Sequence, residues 1–154
     1  MERVFCRYLI LTGLCMISLS CTKSAYFDKY QTIDNPWDKN TAYFFTCEID
    51  DPAASYNLSL QIRNNNLYPY RNLWLFLSEE QPGGDIVRDT VECMLADNYG
   101  KWIGSGISVF HLNIPVRTGT TFPHEGQYTF TIRQGMRDEQ LKGIEQLGVR
   151  IEKQ

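Results

Sequence analysis

From residue 42 onward the chain repeats one pattern, an apolar side chain at every second position broken by short Asn, Gly, Pro and Asp clusters. That period of two is the signature of half-buried strands. Tyr43, Phe45, Cys47 and Ile49 share one face, and Asp50-Asp51-Pro52 ends the run. Tyr56, Leu58, Leu60 and Ile62 follow, up to Asn64-Asn65-Asn66. Leu73, Leu75 and Leu77 alternate with Trp74 and Phe76, so this strand is apolar on both faces and is expected to be central. After the Pro82-Gly83-Gly84-Asp85 turn come Val91, Cys93 and Leu95, a second turn at Asp97–Gly100, and a strand over 107–116. Tyr128, Phe130 and Ile132, then Leu147, Val149 and Ile151, complete the series. The one helix candidate, Asp138–Glu145, is short and contains Gly143. The pattern predicts an all-β fold: a single antiparallel β-sandwich of seven to eight strands over residues 42–154, with immunoglobulin-like or jelly-roll connectivity.

Composition agrees with one packed domain. The 154 residues are 43% apolar and include 3 Trp, 9 Tyr and 8 Phe, enough for a core of ordinary size. The 15 basic and 18 acidic residues give a net charge of −3. Lys and Arg are scattered singly, which excludes the basic patch of a nucleic-acid binder.

The first twenty residues follow a different rule. Arg3 and Arg7 precede an uncharged stretch, Tyr8–Thr22, that ends at Lys23. At 15 residues, several of them polar, it is shorter than the roughly 20 apolar residues of a spanning helix and fits the core of a secretory signal peptide. Ser18-Leu19-Ser20-Cys21 places a small residue directly before a cysteine, as in a bacterial lipobox. Residues 1–20 are thus expected to be a lipoprotein signal peptide and Cys21 the lipidated N-terminus, carrying a thioether-linked diacylglycerol with acyl chains such as palmitate, two or more of which anchor stably. Residues 21–41, polar and containing Asn35-Pro36-Trp37, read as a tether whose later part packs on the domain. Removal of the signal leaves 13 basic and 17 acidic residues, a net charge of −4, so the anchor itself must hold the membrane.

Several stretches together resemble one family. Tyr56–Phe76, reading YNLSLQIRNNNLYPYRNLWLF, is joined by Asp89-Thr90-Val91, by Ala96-Asp97 with Gly100–Gly106, by Gly126–Ile132 with Met136-Arg137, and by Gly143–Lys153. In that order they resemble the gliding-motility lipoprotein family GldH of Bacteroidota. The resemblance implies an envelope lipoprotein required for gliding where the organism glides. It implies no catalytic activity, cofactor or mapped binding site.

The remaining residues carry little chemistry. His111 stands in a strand and His124 in a turn, neither at metal-ligand spacing from a cysteine or a second histidine. No nucleophile elbow, P-loop or dinucleotide fingerprint is present. Asp50-Asp51 and Glu79-Glu80 are adjacent pairs at strand ends, so each pair points to opposite faces and reads as solvated loop charge. No enzyme, metal, cofactor or small-molecule substrate is expected. Cys47 and Cys93 each share a face with large apolar residues; a disulfide between them and two separate buried thiols are both open. Asp89-Thr90-Val91 resembles the Asp-(Ser/Thr)-apolar acceptor of periplasmic O-glycosylation in Bacteroidota, which would modify Thr90.

Loop aromatics supply the expected contact patch: Trp37, Tyr99, Lys101 and Trp102. The leading expectation is a non-enzymatic lipoprotein docking on other envelope proteins, tethered by Cys21 to the outer membrane and facing the periplasm, because the first acidic residue after Cys21 is Asp28 and the early acidic surface-export signal is absent. The alternative is glycan binding through loop aromatics, which requires Trp37, Tyr99 and Trp102 to gather in one exposed strip.

Overall fold

The computed structural model describes residues 25–154, and among them eleven strands and no helix. In chain order these are β1 (Phe27–Thr32), β2 (Trp37–Asp38), β3 (Tyr43–Ile49), β4 (Tyr56–Asn65), β5 (Asn72–Glu80) and β6 (Ile86–Met94). They are followed by β7 (Ser105–Gly106), β8 (Val109–Thr120), β9 (Gly126–Gln134), β10 (Gln140–Leu141) and β11 (Ile144–Lys153). Every pairing is antiparallel. A five-stranded sheet runs β1-β11-β4-β8-β7, a four-stranded sheet β3-β9-β5-β6, and β2 with β10 forms a third, two-stranded sheet.

The alternation seen in the sequence becomes the core. Tyr43, Phe45, Cys47 and Ile49 are buried and the residues between them exposed. Leu58, Leu60 and Ile62 of β4 are fully buried, as are Leu147, Val149 and Ile151 of β11. Both large sheets feed one hydrophobic cluster. Each fully buried aliphatic or aromatic side chain contributes about 1.5–3 kcal/mol, so these periodic positions dominate the stability of the domain.

Two expectations are corrected. The described residues make eleven strands in three sheets rather than seven or eight in one sandwich, because short pieces also pair. Asp138–Glu145 is not helical: Leu141 of β10 pairs with Trp37, and Gln140 Nε2 donates to Asp38 Oδ2 at 2.6 Å. Gly143 lies at φ +83°, where a Cβ would overlap the backbone of Tyr68, so this link is built as a tight crossing into β11. The later part of residues 21–41 packs on the domain. From Phe27 the chain is strand β1, paired with β11 from Phe27–Ile151 to Thr32–Gln146. Ile33 and Trp37 behind it are buried.

A partly buried ion cluster ties the large sheets together. Arg117 of β8 donates to Glu79 of β5 at 2.5 Å and to Asp89 of β6 at 2.7 Å. The Glu79 side chain is 2% exposed, so it is not the solvated loop charge its position beside a turn implies. Arg117 is held protonated above its usual range by both carboxylates, against the opposing effect of burial.

Candidate functional site

The outward face of the four-stranded sheet is the feature the periodicity left unread. Leu73, Leu75 and Leu77 face the core and are essentially buried, but Trp74 and Phe76 between them are 37% and 49% exposed. Strand β5 is central, as expected, flanked by β6 and β9. Among the described residues nothing covers its second apolar face. Phe44, out of phase with the buried residues of β3, adds a third aromatic at 57% exposure.

Register brings these side chains together. Phe44 pairs with Thr131, Thr131 with Ser78, and Ser78 with Arg88, forming one row across all four strands. In the next row Arg133 pairs with Phe76 and Phe76 with Thr90. Side chains directly opposite across an antiparallel pair sit within contact range, so the rings, guanidinium groups and hydroxyls alternate on one surface. A groove of about 430 Å³ lies between Phe44, Phe76, Ile86, Arg88 and Arg133. At one end Gly135 makes room for the aromatics: a Cβ there would meet Phe76 at 3.2 Å and Trp74 at 3.3 Å. The Trp74 backbone amide donates to Met136 Sδ at 3.3 Å, which ties the segment after β9 to β5.

The expected contact patch is only partly assembled. Tyr99 is 96% exposed and Lys101 is exposed, on a turn preformed by Asp97. The Asp97 carboxylate accepts the amides of Tyr99 at 2.8 Å and Lys101 at 3.0 Å, and these bonds hold its pKa below the usual range. Trp102 is half-buried between Tyr68 and Phe110, its Nε1 donating to Asn66 Oδ1 at 2.8 Å. Trp37 leaves the patch altogether. It is fully buried, edge-on to Tyr43 with Nε1 bonded to the Thr41 carbonyl, because β2 is pinned by β10. Trp37, Tyr99 and Trp102 therefore do not form one exposed strip.

The other predicted residues are resolved singly. Cys21 lies outside the described residues. Cys47 and Cys93 are free and buried. They stand on β3 and β6, opposite edges of the four-stranded sheet, three strand spacings or roughly 14 Å apart before any offset along the strands. That exceeds the reach of a disulfide, about 7 Å between Cα atoms, so the possible bridge is corrected to two separate thiols. Burial pushes both thiols up to about 12, with Glu79 and Glu48 adding to the effect at Cys47 and Glu92 at Cys93. Thr90 is exposed on the outward face of β6, opposite Phe76. His111 Nε2 is hydrogen-bonded to the Tyr30 hydroxyl at 2.8 Å, and Arg63 lies over the Tyr30 ring, on the outer side of the five-stranded sheet.

Fold and surface together define a class: an antiparallel all-β domain with an aromatic, arginine-bearing sheet face turned to solvent. Sequence comparison narrows this to a family. The family model for the GldH lipoprotein matches residues 25–151, and the chain belongs to that family of membrane-associated lipoproteins. A gliding motility lipoprotein GldH homolog from Christiangramia forsetii is 31% identical, covering 99% of this chain and 98% of its own length. The gliding motility lipoprotein GldH of Flavobacterium johnsoniae is 31% identical over 93% of this chain and 94% of its own. Among solved structures, a family GH115 4-O-methyl-α-glucuronidase aligns with 83% of this chain and 17% of its own at 14% identity and a TM-score of 0.37, a likeness that implies no shared function.

Proposed function

We propose that this chain is a non-enzymatic, gliding-motility-type envelope lipoprotein whose β-sandwich docks on another envelope protein through the outward face of the four-stranded sheet. The observation that carries the reading is the exposure of Phe44, Trp74 and Phe76 on that single face. Solvated sheet faces are ordinarily polar, and contiguous exposed aromatics beside arginines have the composition of a protein-binding surface. Cys21 is the lipid anchor, cleaved free of residues 1–20, and the domain faces the periplasm from the outer membrane. Strand β1 begins six residues after Cys21, a reach of about 20 Å, which keeps the domain close to the lipid. Thr90 is an acceptor for O-linked glycan, its hydroxyl on an exposed edge strand.

The test is a double variant, Phe44→Ser with Phe76→Ser, in the full chain. Both side chains are about half exposed, so the fold is retained at a cost of about 1–2 kcal/mol. Envelope proteins that copurify with the unmodified chain after crosslinking in cells should be lost. Retention of the same partners by a folded double variant refutes the assignment of the face.

A further inference from the structure

The four-stranded sheet ends in two edges of different character. On β3, side chains from β1 and its approach cap the backbone: Tyr26 donates to the Glu48 carbonyl at 2.9 Å, and Gln31 to the Phe44 carbonyl at 2.5 Å. In the five-stranded sheet, β8 is partly covered by β7, carries Pro115, and pairs irregularly with β4. Strand β1 carries the charged Asp28 and Lys29 on its six residues. Strand β6 carries Arg88, Asp89 and Glu92, but the inward Asp89 is paired with Arg117 of its own chain, and among the described residues no proline, bulge or neighbouring side chain blocks the strand. Its nine residues pair with β5 in unbroken register, from Asn72–Met94 to Glu80–Ile86, and contain no proline and no bulge. Edge strands present unpaired N–H and C=O groups, and an unblocked one is a template for another strand. The side chains turned inward on β6 are also incompletely covered: Val87 is 39% exposed and Val91 half-buried.

The sequence of β6 specifies what fits it. If two copies of Ile86–Met94 pair antiparallel about Thr90, Arg88 of each copy stands opposite Glu92 of the other, and Ile86 stands opposite Met94. All four side chains lie on the outward face, where Ile86 is 47% and Met94 38% exposed. On the inward face Val87 meets Cys93, and Asp89, already paired with Arg117, meets Val91. Shifting the centre to Asp89 or Val91 sets Ile86 against Glu92 or Arg88 against Met94 and loses both matches. Opposite charges and apolar pairs directly across an antiparallel ladder stabilise it, and a two-fold contact uses each of them twice.

We infer that β6, in the chain that carries no glycan at Thr90, is a homodimer edge, joining two copies about a two-fold axis at Thr90 into one continuous eight-stranded sheet. A two-fold perpendicular to the sheet leaves both five-stranded sheets, and with them both β1 strands, on the same side. Two copies can therefore share one membrane, with both aromatic faces turned the other way.

The experiment uses the full chain in membranes of a host that adds no glycan at Thr90, since a sugar there would stand on the axis. A Thr90→Cys variant is oxidised with copper phenanthroline and run without reductant. The expected result is a reductant-sensitive homodimer, with no increase over the unmodified chain for Thr46→Cys on β3. Sedimentation of the detergent-solubilised chain supplies the second measurement. Arg88→Glu should weaken association about tenfold by setting two like-charge pairs on the axis, and adding Glu92→Arg should restore it. A Thr90→Cys dimer yield no greater than that of Thr46→Cys overturns the inference. So does a crosslink to a different protein, or a double charge variant no better than Arg88→Glu alone.

Discussion

Replacing Arg117 by Met tests the claim that an ion cluster around the buried Glu79 clamps the two large sheets. The methionine keeps the apolar stem of the side chain and removes only the guanidinium. Glu79, at 2% exposure, would keep a single weak partner, Gln81 Nε2 at 3.4 Å. Removing one member of a buried pair costs about 3–5 kcal/mol because the other charge is left desolvated. Arg117 itself is 23% exposed and Asp89 41%, so water reaches part of the cluster and the low end, about 3 kcal/mol, applies. For a domain of this size that lowers Tm by about 10 °C, measured by circular dichroism with urea unfolding as a check. The double variant Arg117→Met with Glu79→Met decides the mechanism. With no charge left buried it should recover most of the loss, since exchanging a buried ion pair for apolar side chains is often neutral. A loss below about 1 kcal/mol for the single variant, or a double variant less stable than the single one, refutes the reasoning.

Further outcomes follow from the same structure. Burial, with Arg63 nearby, holds the His111 imidazole below the usual histidine range. The unfolded chain then takes up its proton at higher pH than the folded one, so stability should fall as pH drops below about 6.5. Urea midpoints at pH 7.5 and 5.5 should show a smaller acid loss for His111→Gln, and identical pH dependence would contradict the role of His111. N-ethylmaleimide should label Cys47 and Cys93 slowly in the native chain and fully after denaturation without reductant; a requirement for reductant would restore the disulfide. Labelled palmitate should enter the full chain and be lost in Cys21→Ala, whereas equal labelling would remove the anchor from Cys21.

The sequence exposed the parts of this molecule that depend on period. Where alternation was clean, as in β3, β4 and β11, the inward residues are the core. It misread the segments whose structure is decided by a distant partner. Trp37 looks like a loop residue because its covering strand, β10, lies about a hundred residues away and is only two residues long. Glu79 looks solvated because its guanidinium comes from β8. The aromatic face was hidden by a different ambiguity. Trp74 and Phe76 on a central strand read as a second buried face, and only the absence of a covering layer distinguishes an exposed sheet surface from a core. Phe44, standing out of phase in an otherwise regular strand, was the one local sign of it.

The docking face is tested most directly by photocrosslinking in living cells. A benzophenone amino acid replaces Thr131, which pairs with Phe44 and with Ser78 in the middle of the face. A second chain carries it at Asn113, exposed on the five-stranded sheet. The account predicts a discrete adduct with another envelope protein from position 131 and none from position 113. No adduct from position 131, or the same adduct from both positions, would contradict it.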